Sequence, residues 1–181
     1  AGLFDLGENR VEALAEKVPA LADERVRWHM IGHLQRRKAP QLVGLPWLVH
    51  SLDTVRLGER LDRVAREHGT RFRVLVQVNA AGEATKSGFA PAEVPGAVER
   101  LRALDGLELC GLMTMAPFTD DEALLRRTFA CVRALHERLR EEGAYEGTVL
   151  SMGMTNDFEP AIEEGSTMVR LGTALFGERT G

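Results

Sequence analysis

The sequence predicts an α/β protein whose parallel strands alternate with helices and curl into a barrel, and three observations carry that prediction. Seven strand-then-helix units follow one another with no Ser/Thr/Gly-rich linker and no break in composition. Residues 73–79 are almost continuously β-branched or apolar, as expected of a strand covered on both faces in a parallel sheet. The last two strands each open into a glycine-containing loop of a size that suits a phosphate group.

At 181 residues and 44% hydrophobic, residues 1–181 are expected to form a single domain with a sizeable core. A net charge of -4 and a pI near 5.8 argue against a nucleic-acid partner, whose binding surface is normally basic. Only Cys110 and Cys131 could form a disulfide, so no disulfide framework is expected and a cytoplasmic location fits. No apolar run reaches membrane-spanning length and no signal peptide opens the chain, which predicts no membrane partner. Lysine is scarce: Lys17, Lys38 and Lys86 are the only three.

In chain order, residues 3–7 read as a strand ending in Gly7-Glu8-Asn9-Arg10, and 11–21 as a helix interrupted by Pro19. Asn9 sits where the strand turns into the helix, a position for local turn or cap chemistry. Residues 28–32 form the next strand, followed by a basic cluster, Arg36-Arg37-Lys38, that begins a helix with a solvated face. His29 and His33 share no metal-binding spacing with a cysteine or carboxylate motif, so no metal is assigned. Residues 48–53 are a third strand and 54–69 a helix with Val55, Leu57, Leu61 and Val64 on one stripe.

The loop after 73–79 carries Lys86. It reads either as a solvent lysine or as one at the correct end of the barrel to approach a phosphate or carbonyl. Residues 91–104 are helical, 108–115 a strand in which Met113 and Met115 read as core residues or as the floor for a planar ring, and 121–143 a long amphipathic helix. The final stretch, 148–179, reads as a short strand at 148–150, a small-residue turn Ser151-Met152-Gly153-Met154, and a helix started near Thr155 and Asp157 and stopped by Gly165. A second strand at 168–171 then opens into Gly172-Thr173. Ser151 and Thr173, with the amides around them, can donate to phosphate oxygens. Alternation puts Met168, Arg170 and Gly172 on one face of the last strand and Val169 and Leu171 on the other. An arginine in so apolar a strand needs a partner, either a glutamate or a ligand atom beside the loops.

Six stretches in register carry a resemblance. They are GENRV at 7–11, WHMIGHLQRRK at 28–38, HSLD at 50–53, VQVNAAGEATKSGF at 76–89, GLMTMAP at 111–117, and SMGMTNDFEPAIEEGSTMVRLGTALFGER at 151–179. Together they resemble the pyridoxal-phosphate homeostasis proteins, the YggS/PROSC family. The resemblance implies a (β/α)8 TIM barrel of the alanine racemase N-terminal-domain type with the first strand unit missing, and hence a chain shortened at its N-terminus. In the family that missing strand ends in a lysine that holds the cofactor as an imine, a role that cannot be carried onto any residue here. The remaining pocket is implied to bind pyridoxal 5'-phosphate: Ser151, Gly172 and Thr173 at the phosphate, Arg170 at the pyridine nitrogen and Asn9 near the ring. Leu6, Thr155 and Thr85 stand where the family has Phe, Ser and Ser.

A guanidinium only donates, so the ring nitrogen facing Arg170 stays unprotonated and the ring is a weak electron sink. The sole tyrosine, Tyr145, lies before a strand and so at the end opposite the pocket. No catalytic residue is assigned. A carrier or homeostasis role is therefore favoured, with apo-enzymes that use the cofactor as partners and a monomer as the unit. The alternatives are a racemase or decarboxylase completed by another subunit, and a scaffold that binds phosphate alone or nothing.

Overall fold

The computed structural model describes residues 2–21, 23–83 and 85–177; Ala84, in the loop of Lys86, and the last two residues of the 148–179 stretch lie outside them. Seven strands form one sheet in sequence order: β1 Asp5–Glu8, β2 Arg27–Met30, β3 Leu48–Leu52, β4 Phe72–Val78, β5 Leu107–Thr114, β6 Val149–Met154 and β7 Met168–Arg170. Every neighbouring pair is parallel. Helices α1 Val11–Ala20, α2 Val55–Glu67, α3 Val94–Arg102, α4 Glu122–Glu141, α5 Phe158–Glu163 and α6 Thr173–Phe176 follow their strands, except after β2, where Arg36–Leu42 forms a 3-10 segment. The helix expected to begin at the basic cluster is therefore this tighter segment; it contains Pro40, which cannot donate to an α-helical ladder. Pro19 lies within α1 and does not break it before its last turn.

Two of the helices, α2 and α4, start where a side chain takes up a free amide. Thr54 accepts from the Leu57 amide at 3.2 Å, and Asp121 accepts from the Leu124 amide at 3.0 Å. Along α4 the buried residues Leu125, Phe129, Val132 and Leu139 recur at helical spacing and pack against the sheet. One large apolar cluster lies between sheet and helices, with Val49, Val74, Val76, Leu112 and Leu150 among its members. A second, smaller cluster joins Leu48, Leu75, Cys110 and Met113, with Trp47, Met115, Val149 and Met168 packed on it. The two clusters use alternate residues of the same strands, so the second fills the inside of a curled sheet. His50 on β3 is hydrogen-bonded to Ser151 on β6, three strands away in the sheet order, which a flat sheet would forbid.

One bulge keeps β5 in step with this arrangement. Leu109 pairs with Val74 and Gly111 with Leu75, leaving Cys110 as an extra residue. Cys110 and Met113 thereby reach the same inner cluster although they are an odd number of residues apart.

At the opposite end from the glycine loops, the Tyr145 hydroxyl is hydrogen-bonded to His136 Nδ1 at 2.8 Å, and both residues are buried. Burial, with a smaller contribution from Arg140, pulls the His136 pKa down from 6.5 to about 4. His29 and His50 are also held below 6.5, again mainly by burial. The unfolded chain takes up these protons near pH 6.5 and the folded chain does so only at lower pH. The stability from the neutral rings is thus complete above 6.5 and is lost as pH falls toward 4. Between pH 7 and 4.5 the unfolding free energy from urea titration should fall by about 2 kcal/mol, allowing for the solvent that still reaches His136. A flat profile over that interval would contradict the burial of these rings as neutral groups.

Candidate functional site

The C-terminal ends of β6 and β7 build the site. The turn expected at Ser151–Met154 is strand: β6 continues to Met154, and the chain turns only at Thr155-Asn156-Asp157. There the Met154 amide donates to Asp157 Oδ1 at 2.5 Å, and the Asp157 amide returns to the Met154 carbonyl at 3.1 Å. Gly153 looked like a turn residue but supplies a bend inside the strand, with φ of +93°. A Cβ at Gly153 would meet Ala161 Cβ at 2.7 Å and Phe158 Cα at 3.0 Å, so α5 can lie this close to β6 only over a glycine.

Across from this turn, β7 leads through Leu171 into Gly172 and Thr173 at the start of α6. The Gly172 and Ala174 amides both donate to Thr155 Oγ1, at 3.3 and 3.4 Å. Two backbone donors from one loop therefore converge on a single oxygen of the other, a geometry that also suits an anionic oxygen. Apart from its chain neighbours, none of the described residues comes within 4 Å of a Cβ position built on Gly172, which leaves room beside this glycine.

Arg170 lies one step below this rim. Its Nη1 donates to Ser151 Oγ at 2.7 Å and its Nη2 to the Thr114 carbonyl at 2.8 Å. Both partners are uncharged, and Asp157 acts on it only as a more distant charge, so among the described residues no carboxylate pairs with this guanidinium. Burial lowers its pKa to about 10, which leaves it a cation at neutral pH.

Ser151 is fully buried and also bonded to His50 Nδ1, at 3.0 Å. The contacts continue from His50 Nε2 to His29 Nδ1 at 2.9 Å, and from His29 Nε2 to Asp5 Oδ1 at 3.0 Å. Arg27 Nη2 donates to the other Asp5 oxygen at 2.6 Å. Trp47 lies beside this chain, its ring 5.3 Å from that of His29, with the Arg73 guanidinium 4.0 Å above it.

Of the residues singled out in the sequence, Gly172 and Thr173 lie just past the end of β7, while Arg170 bonds to Ser151 within β6, below that rim. Asn9 is exposed just past the end of β1, at the same end of the barrel. Lys86 is tethered: its Nζ donates to the Ala116 carbonyl at 2.8 Å and pairs with Glu83 at 2.8 Å. Met113 and Met115 belong to the inner apolar cluster, and Tyr145 is buried away from the rim. Sequence reasoning missed Thr155 as a rim acceptor, having read it as a helix start; it considered His29 only as a metal ligand, and gave no role to Asp5 or His50. A signal for His29 was present: it stands between Trp28 and Met30 in a strand, and such a buried polar group demands a partner.

Among the described residues no group of three or more His, Cys, Asp or Glu side chains could hold a metal ion, and no helix is long and apolar enough to cross a membrane.

The alanine racemase N-terminal-domain family matches residues 5–180. A pyridoxal phosphate homeostasis protein of Aquifex aeolicus is 41% identical over 178 residues, which cover 98% of this chain and 78% of that protein. The structure of PipY from Synechococcus elongatus with pyridoxal phosphate bound is 35% identical and superposes with a TM-score of 0.87 over 97% of this chain and 82% of that one. An alanine racemase of Clostridium difficile, at 16% identity and a TM-score of 0.80 over 99% of this chain and 46% of that one, shares the fold.

Proposed function

The chain belongs to the pyridoxal phosphate homeostasis family, within the alanine racemase N-terminal-domain proteins, and on that premise we propose that it binds pyridoxal 5'-phosphate at the rim of β6 and β7 and carries the cofactor without turning over a substrate. The observation that supports this most is a charged Arg170 whose hydrogen-bond partners among the described residues are neutral, two residues before the first of two converging amides. The residues fit the cofactor's two polar ends. The Gly172 and Ala174 amides with the Thr173 and Thr155 hydroxyls take the phosphate, and Arg170 donates to the pyridine nitrogen. Ser151, placed below the rim, serves by holding Arg170. Asn9 flanks the ring from the end of β1.

When bound, the cofactor supplies an aldehyde and an electron-accepting ring. Arg170 can only donate, so it keeps the ring nitrogen unprotonated and the ring a weak sink, which suits carriage better than carbanion chemistry. A racemase would need acid and base groups on both ring faces, and Tyr145 is committed to His136 at the far end. We take residues 1–181 as one cofactor-binding domain acting as a monomer in the cytoplasm, with apo-enzymes that require the cofactor as the recipients.

Titrating the purified chain with pyridoxal phosphate by calorimetry tests this reading. The expected result is saturable one-to-one binding, competed by inorganic phosphate, weakened about 5- to 20-fold by Thr173→Ala and retained in Lys86→Ala, as the loss of about one hydrogen bond implies. An absorbance band of a lysine adduct that disappears in Lys86→Ala would instead make that lysine the attachment point. Turnover of an amino acid by the purified chain would defeat the carrier reading, and failure to bind at all would defeat the cofactor assignment.

A further inference from the structure

Five side chains from five strands form one continuous hydrogen-bonded line through the barrel: Asp5 on β1, His29 on β2, His50 on β3, Ser151 on β6 and Arg170 on β7. Its two ends fix the position of every proton between them. A carboxylate can only accept and a guanidinium can only donate, whereas a neutral imidazole has one donor and one acceptor nitrogen. His29 must therefore donate from Nε2 to Asp5, leaving Nδ1 as an acceptor. His50 in turn donates from Nε2 to His29 Nδ1 and keeps its own Nδ1 free to accept. Only the Ser151 hydroxyl can fill that position, and its oxygen then accepts from Arg170 Nη1. Reversing any link would set a lone pair of His29 against the Asp5 carboxylate.

We propose that Asp5, acting through His29 and His50, sets the direction of the Ser151 hydroxyl and so locks Arg170 in the orientation in which it meets the cofactor nitrogen. The two histidines are positioning residues, and this step rests on the cofactor reading above. The Thr114 carbonyl holds the other arm of the guanidinium, so the pair of contacts fixes its plane as well as its place. The hydroxyl proton of Ser151, spent on His50, is not offered to a phosphate.

The surroundings keep both rings neutral. His50 is buried and faces His29 and the Arg170 charge. His29 is buried, with Asp5 drawing a proton toward it and Arg27 and Arg73 opposing that pull. Burial works against the Asp5 charge, but hydrogen bonds from Arg27 and His29 outweigh it and hold the carboxyl ionised well into the acid range. Asp5 itself is 41% exposed, so it can be replaced without opening a core cavity.

The test reads protons directly, by nitrogen NMR of the five histidine rings and the Arg170 guanidinium, with assignments from single substitutions. In the unmodified chain at pH 7, both His29 and His50 should be neutral with the proton on Nε2, and rotation of the Arg170 guanidinium should be slow. In Asp5→Leu the His29 tautomer should become mixed, the His50 signals should shift, and Arg170 rotation should speed up. Affinity for pyridoxal phosphate should then fall about 3- to 10-fold while affinity for inorganic phosphate stays within twofold, the loss of a fraction of one oriented hydrogen bond. His50→Asn, which keeps an acceptor for Ser151 near the Nδ1 position, should restore slow Arg170 rotation relative to His50→Leu.

A proton on His50 Nδ1, a charged His50 at pH 7, or an Asp5→Leu variant with unchanged His50 and Arg170 signals would overturn the relay. Equal cofactor affinity in Asp5→Leu would overturn its positioning role. If the unmodified chain binds no pyridoxal phosphate, the functional reading fails while the NMR result still decides the relay.

Discussion

Replacing Arg170 with leucine should weaken binding of pyridoxal phosphate by roughly 10- to 100-fold, the loss of one charge-assisted hydrogen bond worth about 1.5–3 kcal/mol. The effect should fall on the ring and spare the phosphate. The Gly172 and Ala174 amides belong to the loop after β7 and do not depend on the arginine side chain. Affinity for inorganic phosphate, measured by the same calorimetry, should therefore change much less than affinity for the cofactor. The substitution also strips Ser151 Oγ and the Thr114 carbonyl of their donor. Because Ser151 is fully buried, about 1–3 kcal/mol of folding stability should be lost as well. Equal losses for cofactor and phosphate would mean that Arg170 merely shapes the loops.

The largest effect on folding is expected from Gly111→Ala. Gly111 has φ of +145°, and a Cβ there would run into the Val149 carbonyl on the neighbouring strand. It sits in β5, which is paired on both sides, to β4 and to β6, so the clash cannot be relieved at an edge. Backbone strain of about 1–3 kcal/mol adds to the cost of forcing β6 away, and a loss of about 3 kcal/mol or more is a large share of an ordinary domain's stability. Gly96→Ala provides the contrast, since it lies inside α3 and nothing stands within 4 Å of its Cβ position. That change should stabilise by about 0.5–1 kcal/mol. Urea unfolding of the two variants checks both signs, and a Gly111→Ala protein as stable as the parent would contradict the observed bulge.

Much of this architecture was legible because it is written in local pattern. Continuous apolar runs such as 73–79 gave the strands, and stripes such as Leu57, Leu61 and Val64 gave the helices. Arg170 announced itself as a charge in an apolar strand, and the structure supplied the neutral partners that the ion-pair reading lacked. The end of β6 was misread because glycine in a short run signals a turn more often than a bend within a strand. That single misreading put Ser151 at the rim and hid Thr155 behind a capping role. The bulge at Cys110 and Gly111 left no mark on the apolar pattern, since the residues on either side of it from Leu109 to Met113 are apolar or small. The line from Asp5 to Arg170 was invisible for a different reason. Its members are 24, 21, 101 and 19 residues apart along the chain; neighbouring strands bring three of these links together, and only the curling of the sheet closes the His50–Ser151 link.

Cofactor recognition turns on a hydrogen bond between Arg170 and the cofactor's ring nitrogen, and one double comparison measures it. The chain and its Arg170→Leu variant are each titrated with pyridoxal phosphate and with the analogue whose ring nitrogen is replaced by carbon. The unmodified chain should bind the analogue at least tenfold more weakly than the cofactor, and the variant should bind the two alike, giving a coupling of about 1.4 kcal/mol or more. Equal binding of both ligands by the unmodified chain would place the nitrogen away from Arg170 and contradict the proposed pose.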